Sequence, residues 1–100
     1  MVITVFRNRL NDDAAEAYGE LQPHIAELAM GMPGFVSVKS FVAGDGERCT
    51  IVEFEDEASH RAWARHPEHR AAQQRGRNEF YATYDLKVAT VTRHSSHGLG

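Results

Sequence analysis

One hundred residues with 42% hydrophobic and 25% charged side chains predict one soluble globular domain, because a chain this short rarely supports two cores. Eleven basic against fourteen acidic residues give a net charge of -3, and no continuous basic run is present, which argues against nucleic acid as a partner. Cys49 is the single cysteine, so an intrachain disulfide is ruled out; with neither a signal peptide nor a long apolar segment, the cytoplasm is the expected compartment and no membrane contact is expected.

Val2 to Phe6 is β-branched and aromatic and predicts a first strand. On a pleated strand Val2, Thr4, Phe6 and Asn8 share one face, which leaves Asn8 at the end of a mostly apolar row. The cluster Asn11, Asp12, Asp13 is a helix-start signal, and Ala14, Ala17, Tyr18, Leu21, Ile25, Leu28 and Met32 then recur at steps of three and four. Pro23 should kink this helix at Gly19, where the backbone yields most easily. Met32-Pro33-Gly34 ends it.

Phe35 to Val42 is a second strand, and the turn Ala43-Gly44-Asp45-Gly46 leads to a third over Glu47 to Glu55, so the two should pair as an antiparallel hairpin. Asp56 can cap a second helix carrying Ala58, Ala62 and Trp63. Pro67 disfavours helical geometry at His66 but suits the first position of a new helix running to about Asn78. Tyr84 to Thr92 reads as a last strand. Residues 94 to 100, "HSSHGLG", hold too few apolar side chains to pack and read as a flexible C-terminal tail after a domain of residues 1–93.

The order βαββαβ is the ferredoxin-like α+β plan, two helices on one face of a four-stranded antiparallel sheet. Phe35 and Phe41 then fall on one side of the second strand and Val36, Val38 and Val42 on the other, while Ile51 and Val52 point opposite ways. Both sheet faces are therefore apolar, and a homodimer packed sheet to sheet is expected.

The segments "VFRNRL", "MPGFVSVKSF", "GERCTIVEFEDE" and "WARHPEHRAAQQRGRNEFYATYDLKV", in this order, resemble the antibiotic biosynthesis monooxygenase (ABM) domain family over about residues 1 to 93. The resemblance implies a dimeric α+β barrel. Members include cofactor-free oxygenases of polycyclic phenols, quinol oxygenases and heme-degrading enzymes. The heme-degrading branch uses an asparagine on the first strand, a tryptophan on the second helix and an iron-binding histidine ten residues after that tryptophan. Asn8 and Trp63 match the first two, but the third position here is Gln73, which lacks the imidazole.

His66 and His69 are three apart, a spacing that metal ligands use, but the break at Pro67 spoils a shared helical face and no carboxylate or cysteine completes a set, so no metal and no cofactor is expected. His69, Ala72, Gln73, Gly76 and Phe80 share one helix face of mixed size and polarity, as a pocket wall would. His60 reads as a surface residue. Arg61, Arg65, Arg70, Arg75 and Arg77 read as a solvated helix surface, with Glu57 and Arg61 spaced for an i,i+4 pair, and Tyr81 and Tyr84 as packing or dimer contacts.

The expected function is a cofactor-independent monooxygenase acting on an electron-rich small aromatic: a phenol, hydroquinone or quinol. His69 would be the base, with His66 second, Asn8 the hydrogen-bond donor to the developing oxyanion and Trp63 the ring-binding wall. Phe6, Phe54, His66, Gln73 and Phe80 are the expected substrate-binding residues. The alternative is a small ligand-binding or regulatory dimer without turnover, and heme capture through His66 or His69 is a third reading.

Overall fold

The computed structural model describes residues 1–98, so the last two residues of the expected tail lie outside it. The elements are β1 (Val2–Leu10), α1 (Ala15–Met30), β2 (Phe35–Val42), β3 (Arg48–Phe54), α2 (Glu57–Ala64), α3 (Pro67–Arg75), a π-helical turn (Gly76–Phe80) and β4 (Tyr81–Thr90). The strands form one antiparallel sheet in the order β2-β3-β1-β4, the ferredoxin-like arrangement read from the sequence, with the second helical layer split in two.

The split follows from local chemistry. Asp56 accepts the Ser59 amide N–H at 2.8 Å and starts α2. His66 has extended ψ, accepts the Glu68 amide N–H at Nδ1 (3.2 Å) and caps α3, with Pro67 as its first residue. Arg61 and Glu57 form the expected i,i+4 pair at 2.7 Å.

Other boundaries differ from the expectations. The acidic cluster does not cap α1: the cap position is Ala14, which offers no side-chain acceptor, and the Asn11 amide N–H is instead donated to the Phe80 carbonyl at 2.7 Å. α1 stops at Met30, short of Met32, and Pro23 lies inside it as the sequence predicts. A bulge in β2 between Phe35 and Ser37 puts Phe35 opposite Phe54, with the rings edge to face at 6.0 Å, so Phe35 joins the core under the helices while Phe41, opposite Cys49, lies on the other sheet face. The two phenylalanines do not share a side, because the extra residue shifts the alternation by one. The last strand begins at Tyr81, three residues early, since the π turn hands the chain directly to β1.

Two packed clusters form under the helices. One joins Ala14, Tyr18 and Phe80; the other joins Ala29, Phe54 and Trp63 with Phe35 and Val52 against them. The opposite sheet face carries Ile3, Val5, Ile51 and Phe41 among ion pairs such as Arg7 with Glu47 (2.8 Å). No helix among the described residues is long and apolar enough to cross a membrane.

Candidate active site

Both clusters contribute walls to a cavity of about 230 Å³ between sheet and helices. Thr4 and Phe6 of β1, Thr50 and Val52 of β3 and Val38 of β2 form its sheet side; Tyr18, Leu21 and Ile25 of α1 lie across from them. Trp63, His69, Gln73 and Phe80 close it on the side of α2 and α3, and Tyr84, Leu86 and Val88 of β4 complete the rim. A predominantly apolar lining with a few polar groups is the usual makeup of a small-molecule site.

His69 is the most specifically held polar group. Its ring lies flat on the Trp63 indole, with centroids 4.0 Å apart and planes 10° from parallel. Its Nδ1 is 3.1 Å from the Trp63 carbonyl oxygen. A carbonyl can only accept, so Nδ1 carries the proton and Nε2 is left with its lone pair. Burial pushes the pKa below that of an ordinary histidine, the Trp63 carbonyl partly opposes this, and His66 and His60 add to the lowering. His69 is therefore a neutral imidazole near pH 7, able to take a proton at Nε2.

The cavity brings together five of the eight residues singled out from the sequence: Phe6, Trp63, His69, Gln73 and Phe80. Three lie elsewhere. Phe54 is fully buried in the core beneath Trp63, where its ring packs rather than meets a ligand. His66 caps α3, beside Trp63 but outside the lining. Asn8 follows Thr4 and Phe6 on the same β1 face but is 1% exposed, does not line the cavity, and has no hydrogen-bond partner at either amide atom.

Two lining residues depart from the surface roles read in the sequence. His60 is half-buried, lines the cavity and shares a 2.8 Å hydrogen bond through Nε2 with the Thr4 hydroxyl. Burial lowers its pKa, and Glu57 opposes the shift. Its i,i+3 relation to Trp63 was the available signal, masked by the charged residues around it. Arg77, four residues after Gln73 on the same helix face, lines the cavity, and Gly76 packs on the Tyr81 ring. Burial holds the Tyr81 phenol well above its ordinary range, so it stays neutral. Among the described residues no three His, Cys, Asp or Glu side chains are grouped to hold a metal ion.

Comparison with known proteins agrees with this geometry at the level of family and fold. The family model described as "Antibiotic biosynthesis monooxygenase" matches residues 1–75. YqjZ of Bacillus subtilis (strain 168) is 36% identical over 76 residues, which span 76% of this chain and 67% of YqjZ. Among solved structures, an asparagine-to-alanine mutant of SnoaB, a cofactor-independent oxygenase from Streptomyces nogalater, superposes with a TM-score of 0.79 at 19% identity, covering 93% of this chain and 94% of SnoaB. Rv0793 from Mycobacterium tuberculosis gives 0.84 at 14% identity, covering 95% and 98%. At such identities the structural matches speak for the fold alone.

Proposed function

Because the chain belongs to the antibiotic biosynthesis monooxygenase family, we propose that it is a cofactor-independent oxygenase of an electron-rich aromatic, a phenol, hydroquinone or quinol. The observation that carries this reading is the setting of His69, a cavity-lining residue whose Nδ1 lies 3.1 Å from the Trp63 carbonyl oxygen, which leaves Nε2 with its lone pair. Dioxygen reacts slowly with closed-shell molecules, but a phenolate can give it one electron. In the proposed sequence Nε2 takes the phenol proton. The phenolate passes an electron to dioxygen, and the aryloxyl radical and superoxide join at a ring carbon. The resulting peroxide anion takes the proton back from Nε2 and loses water with that carbon's hydrogen, so phenol and dioxygen give a quinone and water and His69 returns to its neutral form. Trp63 and Phe6 flank the ring, and the apolar wall limits competing proton donors.

Heme degradation has less support, since Gln73 lines the cavity ten residues after Trp63 and offers an amide in place of an iron-binding imidazole. The competing reading, a ligand-binding or regulatory dimer without turnover, draws on Asn8, which adds nothing to the cavity wall. The apolar row Ile3, Val5, Ile51 and Phe41 supports a homodimer packed through the sheet faces. The test is oxygen uptake with a panel of phenols, hydroquinones and quinols in the presence of a chelator. One dioxygen consumed per quinone formed is expected; binding across the panel with no uptake above the uncatalysed rate would favour the regulatory reading.

A further inference from the structure

We infer that the ligand of this cavity is an aromatic anion, one that carries a carboxylate at the end away from its hydroxyl group, and that Arg77 binds the carboxylate. The inference rests on the cavity being the substrate site. Among the described residues Arg77 is the only formally charged side chain lining the cavity, and no aspartate, glutamate or lysine lines it. The polar groups that remain, among them Thr4, Gln22, Thr50 and Gln73, are neutral, and burial disfavours the charged forms of His60, His69 and Tyr81.

The guanidinium is also available. The neighbouring carboxylate, Glu79, is paired with Arg75 at 3.2 Å, and no carboxylate lies within 4.0 Å of Arg77 among the described residues. Arg77 lies instead over the Tyr84 ring, 5.9 Å from its centroid, and Tyr84 is itself a lining residue. Arg77, an exposed side chain at the edge of the cavity, stands four residues after Gln73, the spacing that puts two helix residues on one face. His69, Gln73 and Arg77 thus follow one another along a single wall, about 12 Å from first to last by helical rise. That span suits a ligand of one or two fused rings with its hydroxyl at His69 and its carboxylate at Arg77, where the guanidinium fork matches a carboxylate.

The test is equilibrium dialysis of the protein with 2-naphthol and with 6-hydroxy-2-naphthoate, which differ only in the carboxylate. Wild type should bind the acid about five- to tenfold more tightly at low salt, an advantage that shrinks as salt screens the contact. Arg77→Gln should bring the acid down to the affinity of the naphthol and leave the naphthol unchanged, and Arg77→Lys should keep part of the preference. Equal affinity for the two probes in wild type, equal loss of both in Arg77→Gln, or binding of neither would overturn the inference. Because dialysis needs no turnover, an acid preference without oxygen uptake would sink the oxygenase reading alone, and uptake with naphthol but no acid preference would sink this inference alone.

Discussion

Asn8 is the side chain whose position is hardest to justify by packing. Leaving buried amide groups without partners costs about 1–3 kcal/mol each, and both ends of Asn8 are in that state. Asn8→Leu, which keeps the branching and the number of side-chain heavy atoms while removing both polar groups, should therefore raise Tm by several degrees, since about 1 kcal/mol shifts a domain of this size by roughly 4–8 °C. Calorimetry would check this; a lower Tm would mean that the amide has a partner in solution. His69, Gln73 and Phe80 were legible because a helical stripe of mixed polarity is written into their spacing, and Trp63 through the family resemblance, whereas the isolation of Asn8 depends on what β3 and β4 place beside it. The proximity of His60 to Thr4 joins α2 to β1 across 56 residues and has no local trace.

At the scale of elements, caps were read correctly where the chemistry is local, as at Asp56 and Pro67, and missed where one residue is added without altering composition. Both the β2 bulge and the π turn are of this kind: the bulge turns Phe35 into the core, and the π turn starts β4 at Tyr81. Gly76 holds the π turn against β4. A Cβ there would meet the Tyr81 ring at 2.4 Å, although its φ of -58° suits any residue. Gly76→Ala should accordingly cost about 1–3 kcal/mol through overpacking. Denaturant unfolding measures this, and an unchanged midpoint would mean that Tyr81 swings aside freely.

For the whole molecule, the plan of four strands and helices on one side was readable from hydrophobic periodicity, and it leaves the second sheet face to be accounted for. Light scattering at micromolar concentration should give twice the 11.2 kDa chain mass. Ile51→Asp, which puts a charge on that face between Val5 and Lys39, should give the monomer with the fold retained by circular dichroism. A wild-type monomer would remove the sheet-to-sheet homodimer. The cavity is a property of this same scale: its walls come from all four strands and all three helices, so its volume and charge balance could not be read from any one segment.

The most direct measurement is the pH dependence of kcat/KM for oxygen consumption by wild type and His69→Ala with an active phenol or quinol. A neutral Nε2 is required and burial lowers the His69 pKa, so wild-type activity should hold down to below about pH 6.5 and fall as the imidazole becomes protonated. His69→Ala should lose roughly a hundredfold or more of the rate and lose that acid limb with it. Equal rates in the two proteins, or an unchanged limb in the variant, would contradict His69 as the base.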